Sequence, residues 1–152
     1  MAHPSSPSQP PTQGFRVRPA RRGDAVPAVA ILSEVGAPSD PHTFTWTISH
    51  PEMEVLIAAD PLDKPIGLIT LSHRPILKLG GRAASIDELV VTKAWRRRGV
   101  GKELLRRAVE RATVLSVKRL EVQTFGPLTG DVKAFFVACG FDAADVGTFR
   151  LR

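Results

Sequence analysis

One stretch restricts the fold more than any other: Ala84 to Leu105, ASIDELVVTKAWRRRGVGKELL. It opens as an apolar run, Ala84–Thr92, with the residue types of a buried strand. It then crosses a short basic loop, Arg96-Arg97-Arg98, to the turn Gly99-Val100-Gly101. From about Gly99 to Leu115 the apolar residues Val100, Leu104, Leu105, Ala108, Val109 and Ala112 recur at the helical period. A helix N-terminus presents unpaired N–H groups and a partial positive charge of about half a unit. Glycines without a Cβ let an anion approach that backbone closely. With Arg96, Arg97, Arg98 and Lys102 beside it, the turn predicts a cradle for phosphate or pyrophosphate. The plain alternative is a tight turn carrying a solvated basic face.

The remaining segments alternate in type. Phe15-Arg16-Val17-Arg18 reads as a first strand. Asp24 stands where a helix cap is expected, with Pro27 near the start, Val26, Val29, Ala30, Ile31 and Leu32 inward, and Gly36 as the stop. Asp40 to Ser49 reads as a second short helix. Val55–Ala59 and Ile66–Leu71 form antiparallel strands about an Asp60–Pro65 turn, and a Gly80-Gly81 loop leads on to Ala84–Thr92. Leu120–Thr124 follows as a strand, Asp131–Cys139 as a helix stopped by Gly140, and Phe149–Leu151 as a last strand. The order β-α-α-β-β-β-α-β-α-β predicts an α/β or α+β domain over residues 15–152, with a mixed central sheet and helices on both faces. Met1–Gly14 holds four prolines, three serines and no Asp, Glu, Lys or Arg, the composition of a flexible tail.

Several function classes drop out on composition. The longest apolar runs fall far short of the roughly 20 residues a bilayer-crossing helix needs. The N-terminus carries prolines and serines where a secretory signal has a basic end and an apolar stretch. A single cysteine, Cys139, allows no intrachain disulfide, and four scattered histidines offer no metal cluster. These features predict a soluble, reduced, cytoplasmic protein. The 152-residue chain has 21 Lys and Arg, 15 of them arginine, against 15 Asp and Glu, for a net charge of +6. Such an excess favours polyanionic partners, including a multiply phosphorylated cofactor.

Two nucleotide motifs fail at the glycine turn. A dinucleotide fingerprint needs a third glycine where Gly99-Val100-Gly101-Lys102-Glu103-Leu104 has leucine, although Glu121 stands at roughly the spacing of its ribose carboxylate. A P-loop needs Ser or Thr after its Gly-Lys, where Glu103 stands, and an earlier glycine that is absent. The pattern instead resembles the GNAT superfamily of acetyltransferases, whose signature is Arg or Gln, two residues, Gly, one residue, and Gly or Ala. Here it reads Arg96-Arg97-Arg98-Gly99-Val100-Gly101, after Leu89-Val90-Val91 and before Leu104-Leu105. The likeness continues through Glu121-Val122-Gln123-Thr124 to Ala134-Phe135-Phe136 and Gly140-Phe141.

The resemblance implies an acetyl-CoA-dependent N-acetyltransferase acting on a primary amine of a small molecule or a protein, with direct transfer. It implies acetyl-CoA held between the long strand and the Leu120–Thr124 strand. Leu89, Val90 and Val91 would pair with the pantetheine, and the N–H groups from Arg97 through Val100 to Lys102 would take the pyrophosphate, beside Arg96. A homodimer is compatible with the likeness, a membrane partner is not expected, and nucleic acid is disfavoured for want of a recognition motif.

Acetylating an amine needs its neutral form. For a lysine-like amine that costs about 4–5 kcal/mol near pH 7, so a carboxylate base is expected. By strict alternation Asp87 and Glu88 fall on opposite faces of their strand, with Glu88 beside Ile86 and Val90, where burial raises its pKa. Family members often carry an acidic residue at that place; Glu121 is the second candidate, and a structural carboxylate is the plain alternative for each. Where the family commonly has a tyrosine to protonate the leaving thiolate, this chain has Phe136, and it contains no tyrosine at all. That departure keeps open a non-catalytic acyl-CoA-binding module. Cys139, a nucleophile in principle, reads as a small buried hydrophobe. His73 and Arg74, after the third strand, read as a surface loop, with a substrate rim as the alternative. Phe44 and Trp46 stand between an acceptor lining and the core.

Overall fold

The computed structural model describes residues 14–124 and 129–152. The tail expected over Met1–Gly14 lies, except for Gly14, outside them. Strand β1 (Arg16–Pro19) is followed by helices α1 (Ala25–Ser33) and α2 (Pro41–Ser49), strands β2 (Met53–Ala59), β3 (Pro65–Ile76) and β4 (Gly81–Val91), helix α3 (Val100–Val114), strand β5 (Arg119–Val122) and helix α4 (Gly130–Ala138). The five strands form one sheet in the order β1-β2-β3-β4-β5, antiparallel except for the parallel β4–β5 pair.

Each face of the sheet carries its own core. On one face Leu56, Ala58, Ile69, Leu71, Ala84 and Ile86 pack with Val100, Leu104, Leu105 and Ala108 of α3, and Phe135 and Phe136 of α4 lean on the same cluster. On the other, Val55, Ile57, Ala59, Leu68 and Val90 pack with Ala25, Ala28 and Ile31 of α1 and Phe44 of α2. Helices on both faces are thus the arrangement that the element order predicts. Helix α3 sits close on its face because Gly67 has no Cβ; one placed there would lie 3.1 Å from the Val90 carbonyl oxygen and 3.3 Å from Leu104 Cδ1.

The helix starts differ in how they are held. Asp40 caps α2, its carboxylate accepting the Thr43 N–H at 2.9 Å and the Thr43 hydroxyl at 2.8 Å. Asp24 precedes α1 but makes no such cap. Its carboxylate instead accepts a two-pronged Arg18 guanidinium at 2.8 and 2.9 Å and the Arg21 N–H at 2.7 Å. Both partners of this ion pair are buried. The inward face of α1 also differs from expectation, since Ala25, Ala28 and Ile31 are buried and Val26 is 70% exposed. Nine residues of mixed apolar character do not define a face until the sheet chooses one.

Two further corrections concern strand limits. β3 runs on to Ile76, so His73 is a buried strand residue rather than part of a loop. Residues 141–152 hold no helix or strand, and the strand expected at Phe149–Leu151 does not form. Phe149 and Leu151 are both almost fully exposed. Alternation alone makes no strand where no neighbouring edge takes its hydrogen bonds.

Candidate active site

The site begins with an irregularity in β4. Thr70 of β3 pairs with Glu88 and Leu71 pairs with Ile86, leaving Asp87 without a partner. This is a β-bulge, and it reverses the alternation of everything beyond it. Ala84 and Ile86 face the α3 core, and so do Leu89 and Val91, while Val90 joins the α1–α2 core. Asp87 and Glu88 therefore both stand on the α1–α2 side, not on opposite faces. Glu88 shares its side with Val90 but not with Ile86.

Hydroxyl groups hold both carboxylates. Ser72 Oγ donates to Asp87 Oδ2 at 2.9 Å and Ser85 Oγ to Oδ1 at 3.0 Å. Thr70 Oγ1 donates to Glu88 Oε2 and accepts the Glu88 N–H at 3.1 Å. Burial raises the Glu88 pKa above the ordinary carboxylate value, and the neighbouring charge of Asp87 pushes the same way.

Two clefts meet at these residues. The first, about 390 Å³, lies between β3 and α2 and is lined by Phe44, Trp46, Met53, Thr70, Ser72 and Arg74 among others. The second, about 860 Å³, lies between β4 and β5 and is lined by Leu89, Val90, Gly101, Gln123, Phe135 and Phe136 among others. Asp87, Glu88 and Leu32 line both. The second cleft exists because the parallel strands part: their pairing ends at Ile86 and Val122, with one more bond from the Gln123 N–H to the Ile86 carbonyl at 3.0 Å. Beyond that point no described residue of β5 pairs with Leu89, Val90 or Val91. Arg96 Nε donates to the Val91 carbonyl at 3.1 Å, so one edge group there already has a partner.

The glycine turn closes this cleft. Gly99 has φ +81°, the left-handed region, and Gly101 forms part of the wall, with Val91 Cγ2 and Phe135 Cζ 3.8 Å from where its Cβ would be. Val100 is buried in the core, while Arg96, Arg97, Arg98 and Lys102 line the solvent side of the turn. Arg97 also has a positive φ, 60°, and the Arg98 guanidinium lies 4.9 Å over the Trp95 ring. These are the residues that could hold a polyphosphate: a 15-residue helix starts at the turn and four cations border it.

Glu121 is not brought to the junction. It lines a separate cleft between β5 and residues 141–150, where Arg119 Nε lies 3.1 Å from its carboxylate. Phe136 lies in the second cleft, edge-on to Phe135 and to Phe141. Phe44 is buried in the α1–α2 core and Trp46 is exposed, and both line the first cleft. Cys139 is half-buried against the α3 core. Sequence reasoning missed Asp87, Thr70 and Ser72 as partners in one cluster. Their signal was the polar pair Thr70 and Ser72, two residues apart at the end of the apolar run that starts at Ile66.

Comparison with known proteins agrees with this geometry. The sequence profile of the acetyltransferase (GNAT) family matches residues 28–141. Glucosamine 6-phosphate N-acetyltransferase 1 of Oryza sativa subsp. japonica is 27% identical over 139 residues, covering 85% of this chain and 82% of that protein. The crystal structure of a Trypanosoma brucei acetyltransferase superposes with a TM-score of 0.77 at 18% identity, over 91% of this chain and 99% of that one. The glucosamine-6-phosphate N-acetyltransferase from Arabidopsis thaliana superposes with a TM-score of 0.75 at 15% identity, over 90% and 97%. The family match runs from within α1 to just past α4, including the glycine turn and the parting strands, and this chain belongs to the GNAT family of acetyltransferases.

Proposed function

We propose that the protein moves an acetyl group from acetyl-CoA to a primary amine of a small molecule seated in the cleft between β3 and α2. The observation that carries this reading is the junction itself, because two clefts share one desolvated carboxylate, Glu88. Acetyl-CoA supplies an activated acetyl thioester. The edge of β4 at Leu89 and Val90, which pairs with no described residue of β5, together with the N–H groups of the Gly99–Lys102 turn, is the part of the chain that fits it. Glu88 accepts the proton of the acceptor amine, directly or through a water, and its raised pKa brings its basicity nearer to the task. Phe136 contributes an apolar wall and no proton, so the thiol leaves as a thiolate, tolerable for a group with a pKa around 8.5. A cytoplasmic setting suits the lone free Cys139.

The acceptor class is open to direct test. Calorimetry establishes acetyl-CoA binding, and thiol release is then followed with glucosamine 6-phosphate, spermidine, an aminoglycoside and a peptide N-terminus. Glucosamine 6-phosphate heads the panel because the rice and Arabidopsis relatives are named for it. Thiol release with one of these amines supports the proposal. Tight acetyl-CoA binding with no release across the panel favours the acyl-CoA-binding alternative that Phe136 suggests. Absence of acetyl-CoA binding overturns both. A steep loss of binding with salt marks phosphate-backbone contacts instead.

A further inference from the structure

We propose that Asp87 is the residue that captures the acceptor, holding it as an ammonium ion beside Glu88, so that one carboxylate binds the cation and the other takes its proton. The inference rests on the acceptor cleft proposed above and assigns a separate task to a residue inside it.

The argument starts from the bulge. In a regular strand Asp87 would be one of a pair of carboxylates separated by the thickness of the sheet. The bulge instead gives it no partner on β3 and turns it to the side of Glu88. Two like charges placed together, partly desolvated, are costly unless a cation joins them or one is neutral. Among the described residues no lysine, arginine or histidine forms an ion pair with either. Several partly buried acids, such as Glu54 with Arg111 and Glu103 with Arg106, have a cation supplied by the chain itself. Here the chain withholds one, and the open side of both groups is cleft.

The two carboxylates are held differently. Both oxygens of Asp87 accept hydroxyl protons, from Ser72 and from Ser85, an arrangement that a charged carboxylate satisfies and a protonated one weakens. Each oxygen keeps a further lone pair for a donor in the cleft. Glu88 has one hydroxyl partner, Thr70, so one of its oxygens is free, and burial raises its pKa. The geometry therefore gives Asp87 the binding task and leaves Glu88 with an oxygen free to take a proton. An ammonium between them donates one hydrogen bond to each, and proton transfer to Glu88 leaves the amine neutral and still hydrogen-bonded to Asp87. The acceptors this selects are amines that arrive protonated; neutral amides, alcohols and weakly basic anilines gain nothing from Asp87.

The test needs no turnover. In full-length protein loaded with coenzyme A, side-chain carboxyls carrying ¹³C are followed by NMR during addition of n-butylammonium chloride, with sodium chloride and n-butanol as controls. The expected result is a saturable shift of the Asp87 signal with butylammonium alone. Asp87→Asn should weaken that binding by about tenfold or more, the scale of a lost hydrogen bond to a charged group. Ser72→Ala, which keeps the charge and frees one oxygen, should weaken it less and guards against a folding defect in Asp87→Asn. For any amine the panel shows to be turned over, Asp87→Asn should raise KM, whereas Glu88→Gln should lower kcat. Unchanged binding in folded Asp87→Asn overturns the inference, as does a shift confined to Glu88 or no saturable shift at all. Acetyl transfer that proceeds despite such a result leaves the proposed activity standing.

Discussion

Ile86 and Leu89 stand three residues apart on one strand yet pack into the same core, against α3. In an unbroken strand they would face opposite sides. The extra residue between them is the bulge, and it brings Asp87 and Glu88 to the meeting point of two clefts. The consequences of that geometry are measurable.

Glu88→Gln should lower acetyl transfer by roughly 10²–10⁴-fold, the usual range for general acid–base catalysis. Acetyl-CoA affinity should barely change, because the phosphate contacts proposed for the glycine turn are backbone N–H groups. Glu121→Gln, whose carboxylate lies in another cleft beside Arg119, should cost less than about tenfold. Steady-state kinetics with calorimetry on the same preparations separates these outcomes; a reversed order would transfer the base to Glu121.

The same Glu88→Gln variant should gain stability, and with a definite pH dependence. The folded pKa of Glu88 is raised by burial and by Asp87. The native state thus binds more protons than the unfolded chain between the unfolded and folded pKa values, and stability falls as pH rises through that window. The amide introduced by the substitution cannot ionise. Glu88→Gln should therefore melt close to wild type below the window and higher than wild type at neutral pH. A gap that closes as pH rises would contradict the desolvated state of Glu88.

Gly99→Val should weaken acetyl-CoA binding while the fold survives. Nothing lies within 4 Å of where a Cβ would sit, but φ is +81°, which a branched L-residue occupies at a cost of about 1–2 kcal/mol. The backbone relieves that strain by turning its N–H groups out of line. Gly101→Val should also weaken binding, through bulk in the cleft wall. Calorimetry on folded protein decides; full affinity in both variants would separate the turn from the cofactor.

Asp24→Asn should be among the most destabilising single changes outside the apolar core. Burial opposes the charge of Asp24, yet hydrogen bonds from Arg18 and the Arg21 amide outweigh it, and the carboxyl is held below its usual range. Removing one partner of a buried pair costs about 3–5 kcal/mol when the other is left uncompensated. Arg18 keeps Asp63 at 2.9 Å, so a loss of about 2 kcal/mol is expected, or roughly 6 °C in Tm for a chain of this length. The contribution of Asp24 is present above its unfolded pKa and lost as pH falls through the depressed folded value. The difference in Tm between variant and wild type should therefore narrow in strong acid.

Phe136→Tyr places a hydroxyl in the second cleft on a ring already packed against Phe135 and Phe141. If thiolate departure limits the rate, turnover should rise several-fold, short of the roughly 10² that a well-placed general acid supplies. An unchanged kcat places the slow step elsewhere.

Local features carried the reading of α3 and the turn before it. The spacing of Val100, Leu104, Leu105 and Ala108 and the glycines at 99 and 101 are properties of a few neighbouring residues, and helix periodicity and left-handed turns are decided at that range. The mixed sheet with a helix layer on each face followed from the order of such segments. What the chain by itself could not show is how strands meet. The bulge at Asp87 is a property of the register between β3 and β4, and alternation along β4 alone assigns Asp87 and Glu88 to opposite sides. The parting of β4 from β5 after Ile86, and the removal of Glu121 to another cleft, are likewise relations between distant segments. The alternating Phe149–Leu151 remained irregular for the same reason: strand hydrogen bonds lie between chain segments, so only the assembled sheet decides which pairs exist and which carboxylates share a site.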